Sequence, residues 1–133
     1  MTSFIKLTAA FSFLLLSSFI TLCGQASKQG LIVGNWAFEK FEFSGQLANI
    51  PPTEEKKAND SNKGLVIKFA SDNKCSSEQK GGMTINNSKG TYKLLPNDKL
   101  IFIGDTVKII QLDNTYLKLY RNDLSPIIIF RRQ

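Results

Sequence analysis

Apolar and polar residues alternate in short runs along most of this chain, and no run keeps the 3.6-residue period of a long amphipathic helix. β-branched and aromatic side chains fill the runs, and clusters of Gly, Asn, Asp, Ser and Pro separate them at near-regular spacing. That is the signature of short strands joined by tight turns. Strands are predicted over residues 31–43, 65–70, 75–79, 90–95, 99–103, 105–112, 115–121 and 126–132. Leu65, Ile67 and Phe69 share one strand face, opposite Val66 and Lys68, and Tyr92 and Leu94 lie opposite Thr91 and Lys93. In the first run the aromatic parity changes between Phe38 and Phe41, which predicts a β-bulge. Antiparallel hairpin strands lose their exposed edges by closing on themselves. The pattern therefore predicts an all-β fold, an up-and-down antiparallel barrel of about eight strands, filled by side chains or holding one small ligand.

One stretch breaks the rhythm. Residues 44–63 carry Pro51-Pro52, the charge run Glu54-Glu55-Lys56-Lys57 and the turn-rich Asn59-Asp60-Ser61-Asn62. A loop of this length inside a small domain reads as a lid or a disordered insert, and its charge run as a solvated face or one exposed helical turn. Two other runs, Leu100 to Ile103 and Pro126 to Phe130, are apolar on both faces, so alternation does not assign their inner side. If parity continues from the clearer strands, the interior comprises Trp36, Phe38, Leu65, Ile67, Phe69, Tyr92, Leu94, Leu100, Phe102, Val107, Ile109, Leu117, Leu119, Ile127 and Ile129. Ile101, Ile103, Ile128 and Phe130 then form an outer stripe that needs cover, from residues 44–63 or from another protein.

The N-terminus follows a different logic. Lys6 precedes an apolar run, residues 7–22, and no charge occurs over residues 7–27. A basic start, an apolar stretch and small residues ahead of a polar segment match a secretory signal peptide over residues 1–24, with the domain at 25–133. The uncharged stretch is also long enough for an uncleaved membrane anchor. A further alternative places cleavage before Cys23, leaving it acylated, since Ile20-Thr21-Leu22-Cys23 resembles a lipobox, although Leu22 stands where that motif wants a small residue. The expected location is periplasmic or secreted, with an outer-membrane lipoprotein as the alternative. Membrane contact requires an acylated Cys23 or a retained signal. After cleavage Cys75 is the remaining thiol, either buried and inert or available for intermolecular pairing.

Composition narrows the chemistry. The 133 residues hold 17 Lys plus Arg, 11 Asp plus Glu and no His, for a formal charge of +6. Without imidazole there is no Ser-His-Asp triad, Cys-His pair or His-ligated zinc, and two cysteines cannot build a Cys₄ site. No metal or cofactor is expected. Catalysis would fall to paired carboxylates such as Glu39 with Glu42, or Asp105 with Asp113, which read more simply as strand and turn residues, so the chain is not read as an enzyme. The lysines are scattered without an aromatic-basic motif, so nucleic acid is not an expected partner. The charge fits a solvated surface that tolerates anionic headgroups or glycans.

Gly34-Asn35-Trp36, within Leu31-Ile-Val-Gly-Asn-Trp-Ala-Phe38, resembles the G-x-W signature of lipocalins and of small bacterial lipocalin-like proteins. Nearly all of residues 31–133 follow the same plan of a long first loop and then successive hairpins to a basic end at Arg131-Arg132. The resemblance implies that Trp36 plugs one end of the barrel and that a late arginine, Arg121 or Arg131, packs across its ring as a cation–π partner. The missing paired cysteines, and Asp113-Asn114-Thr115-Tyr116 in place of a T-D-x motif, point to the bacterial lipocalin-like group. The expected function is non-catalytic binding of a small hydrophobic molecule such as an acyl chain, a sterol-like molecule or a terpenoid. The alternative is a filled barrel acting as a protein-binding envelope module, an inhibitor or accessory subunit, through its outer surface or residues 44–63.

Overall fold

The computed structural model describes residues 28–80 and 87–133. The proposed signal segment 1–24, Cys23 and the Gly81-Gly82 break lie outside these. The chain divides into two units, residues 1–30 and 31–133, and the fold below belongs to the second. Eight antiparallel strands make it up: β1 (Gly34–Glu42), β2 (Leu65–Phe69), β3 (Lys74–Gln79), β4 (Asn87–Leu95), β5 (Lys99–Phe102), β6 (Asp105–Leu112), β7 (Tyr116–Tyr120) and β8 (Ile127–Arg132). Each pairs with its sequence neighbours, and β8 returns to pair with β1, so the sheet closes into a barrel in the order of the sequence.

The bulge in β1 falls where the aromatic parity changes. Phe38 pairs with Phe130 and Phe41 with Ile128, with a register shift between Phe38 and Lys40, so both rings point inward despite odd spacing. They meet edge-on at 5.0 Å between centroids. A second shift, between Ile109 and Gln111 in β6, has no comparable signal in the sequence.

Residues 44–63 are not irregular. A 3₁₀ turn (Gly45–Leu47) leads to helix α1 (Pro52–Ser61), longer than the single turn expected. Pro52 at its first position suits helix initiation, and Glu54 and Glu55 in the first turn complement its dipole. Lys56 and Lys63 both reach Asp60, at 2.5 and 2.9 Å, and hold its carboxyl below the usual carboxylate range. The helix buries no residue, so tertiary hydrogen bonds fix it instead. Phe41 N–H donates to Asn59 Oδ1 at 2.8 Å, and Gln79 Nε2 donates to the Ser61 carbonyl at 2.6 Å.

Turn chemistry closes the hairpins. Asp113 Oδ1 accepts from the N–H groups of Tyr116 (2.7 Å) and Thr115 (2.8 Å) while Oδ2 accepts from Gln111 Nε2, also at 2.7 Å. The Tyr116 bond, then the Gln111 and Thr115 bonds, lower its pKa. These bonds help the β6–β7 turn at neutral pH, and their contribution fades as pH falls through that lowered value. Cys75 is 4% exposed, and burial pushes its thiol pKa up, away from thiolate chemistry.

Candidate functional site: a pocket at one end of the barrel

The interior divides into a packed end and an open end. At the packed end lie Ile32, Trp36, Phe69, Cys75, Tyr92, Leu100, Ile109 and Leu117, all buried. Trp36 and Leu100 are fully enclosed, and Phe69 and Tyr92 stack edge-on at 5.0 Å. Tyr92 has its hydroxyl satisfied by the Ala70 carbonyl at 2.6 Å, and Trp36 donates Nε1–H to the Ile32 carbonyl at 2.9 Å. Both rings at this end that carry a polar atom thus bring it to a backbone acceptor, as buried Tyr and Trp require.

The arginine over Trp36 is Arg132, which corrects the expectation of Arg121 or Arg131. Its guanidinium carbon sits 4.3 Å from the ring centroid. The same group donates to the carbonyls of Val33 (Nη1, 2.9 Å), Asn114 (Nε, 3.2 Å) and Leu31. Arg131 points outward instead, 5.7 Å over Tyr116 and 3.6 Å from Glu39, and Arg121 pairs with Asp105 at 2.6 Å. Gly34 serves this arrangement. Its φ is +141°, and a Cβ there would lie 2.6 Å from Arg132 Nη1, so the glycine leaves space for the guanidinium.

The open end holds a pocket of about 270 Å³. Its apolar wall comprises Phe38, Phe41, Leu65, Ile67, Phe102, Ile103, Val107, Leu119, Ile128 and Phe130. Polar groups are Ser77, Ser88, Asn62 at the end of α1, and the Asp105–Arg121 pair. Of the residues expected to line a cavity, Phe38, Leu65, Ile67, Phe102, Val107 and Leu119 line this pocket. Trp36, Phe69, Tyr92, Leu100, Ile109 and Leu117 belong to the packed end, and Leu94 packs against the core without reaching the pocket. In β8 the expected parity is reversed: Ile128 and Phe130 line the pocket, while Ile129, buried as expected at 3% exposure but outside the core cluster, pairs with Lys40 and Lys118 on the outer row, and Ile127 pairs with Glu42. Ile103, expected outside, also lines the pocket. Of the expected outer stripe only Ile101 lies on the outer row, paired with Lys93 and Thr106, whereas Ile103, Ile128 and Phe130 face the pocket. Of the carboxylates considered for catalysis, Glu39 faces Arg131, Asp105 pairs with Arg121, and Asp113 is engaged in the β6–β7 turn.

Ile103 was not singled out as a site residue, and its backbone is unusual. It occupies the two-residue turn between paired Phe102 and Asp105 at φ +49°, beside Gly104 at +80°. This is the double positive-φ turn that favours Asn-Gly, and a β-branched residue there is strained. Ile103→Asn is expected to stabilise the fold by about 1 kcal/mol in urea unfolding. A destabilised Ile103→Asn protein would mean that the side chain's packing outweighs the strain.

Among the described residues no group of His, Cys, Asp and Glu could hold a metal, and no helix is long and apolar enough to cross a membrane. Comparisons with protein-family models, curated proteins and solved structures found no match.

Proposed function

We infer that the protein is an exported, lipocalin-like barrel of the bacterial envelope that holds a small hydrophobic molecule without catalysing its conversion. The observation that carries this reading is the pocket at the open end, apolar on most of its wall and edged by a few polar groups. That is the composition by which small-molecule sites combine affinity with orientation. At about 270 Å³ the space is near the lower end of the range for small-molecule sites. An acyl segment, a small terpenoid or one end of a sterol-like molecule suits such a pocket, which opens to solvent at the barrel mouth. The G-x-W glycine and tryptophan, Gly34 and Trp36, with Arg132 across the ring, support the lipocalin-like assignment.

Native mass spectrometry of the protein, offered a total lipid extract, tests the reading. A discrete added mass is expected, and Ser77→Phe should abolish it. Ser77 lines the pocket on β3 and is only half-buried, so a ring there takes up ligand space without entering the packed end. Ile109→Arg and Leu117→Arg are poor probes, because both sites lie in that packed end. An unchanged apo mass with every lipid, from protein that is folded by circular dichroism, would overturn the proposal.

A further inference from the structure

The outer surface of β2, β3 and β4 carries a second concavity, separate from the barrel interior. Lys68 pairs with Ser76 and Ser76 with Lys89, so one cross-strand row reads Lys-Ser-Lys. Lys74 joins them at the edge of a depression of about 220 Å³ that Ala70 and the Gly90 backbone also line. No acidic residue lines it. Lys74 has Asp72 at 3.6 Å, whereas Lys68 and Lys89 make no ion pair among the described residues. Cross-strand rows ordinarily place opposite charges or hydroxyl pairs side by side, and like charges on neighbouring strands repel. Lys68 and Lys89 flank Ser76 about two strand spacings apart, roughly 10 Å between backbones, and Glu78, next along β3 on the same face, is the nearest carboxylate to the row and lines an adjoining concavity with Lys68 and Ser76.

We propose that this depression binds a phosphate group, with Lys68, Lys89 and Lys74 supplying charge and the Ser76 hydroxyl a hydrogen bond. Three ammonium groups around a hydroxyl suit a compact, tetrahedral, multiply charged oxyanion. A planar carboxylate is better served by an arginine fork, and none lines this site. The phosphate can belong to a soluble phosphorylated compound or to a phospholipid headgroup. The site does not depend on the pocket in the barrel.

Amide chemical shifts of the full-length chain, titrated with inorganic phosphate at fixed ionic strength, test it. Saturating shifts confined to Ser76, Lys89, Gly90 and their neighbours are expected, absent with chloride or acetate. Affinity should fall at least tenfold in Lys68→Gln/Lys89→Gln. It should be unchanged in Lys99→Gln/Lys108→Gln, which removes equal charge from the neighbouring pair on β5 and β6. Co-sedimentation with phosphatidylglycerol vesicles, measured against phosphatidylcholine vesicles, separates the two sources. An excess on phosphatidylglycerol that only the Lys68/Lys89 variant loses assigns a lipid headgroup, and localised phosphate binding with no such excess assigns a soluble phosphate compound. Shifts common to all three anions, or equal losses in both double variants, would overturn the proposal and reduce the lysines to diffuse surface charge.

Discussion

Trp36→Ala is expected to cost about 3–5 kcal/mol of folding stability, the range for truncating a fully buried tryptophan. Removing the indole empties the packed end and strands the Arg132 guanidinium, which lies 4.3 Å over the ring. Arg132→Met should cost roughly 1–3 kcal/mol, because three backbone carbonyls lose their charged donor. Arg121→Met and Arg131→Met remove exposed ion pairs and should each cost under about 1 kcal/mol. Urea unfolding of the four variants measures all of this, and a cycle combining Trp36→Ala with Arg132→Met should give a coupling of about 0.5–2 kcal/mol. An Arg131→Met loss equal to that of Arg132→Met would refute the assignment of the stacking arginine.

Gly64→Ala should be almost as damaging, at about 3 kcal/mol, although Gly64 lies outside the core. Its φ is +82°, and an added Cβ would stand 2.0 Å from the Lys80 carbonyl oxygen. That oxygen is backbone, and Lys80 N–H in turn donates to the Gly64 carbonyl at 3.2 Å, so neither chain can retreat without opening the β2–β3 ladder. Gly104→Ala supplies the control: φ is similar, at +80°, but nothing lies within 4 Å of the new methyl. Its cost should be about 1–2 kcal/mol, the conformational penalty alone. Thermal or urea unfolding of the pair reads the clash as the difference, and equal losses would show that the Lys80 carbonyl yields freely.

The sequence announces the strands well because β-branched and aromatic runs meet turn residues at nearly every boundary. It also announces the bulge in β1, since only an extra residue brings Phe38 and Phe41 to one face. The C-terminal strand is different. Residues 127–130 are apolar on both faces, so nothing local chooses which set points inward, and a shift of one residue exchanges every side chain. Taking Ile127 and Ile129 as interior carries Arg131 inward with them. The observed register sends Ile128, Phe130 and Arg132 inward together, so one parity choice settles both the wall of the pocket and the partner of Trp36. Helix α1 escaped the sequence reading for another reason. It has no apolar face, and the hydrogen bonds that place it come from Phe41 and Gln79, each 18 residues away from its partner. The division of the interior into a packed end and a pocket depends on how side chains from eight strands fill a shared volume, which strand-by-strand alternation does not encode.

Arg132 ties residues that are 99 positions apart when it donates to the Val33 carbonyl, and it does so within the β1–β8 seam that closes the sheet. During synthesis the first strand must therefore wait, unpaired on one side and with its tryptophan uncovered, until residue 132 has left the ribosome. Seams of such long sequence separation form slowly. Until the seam closes, one edge of β1 and the face of its indole stay open to non-native association.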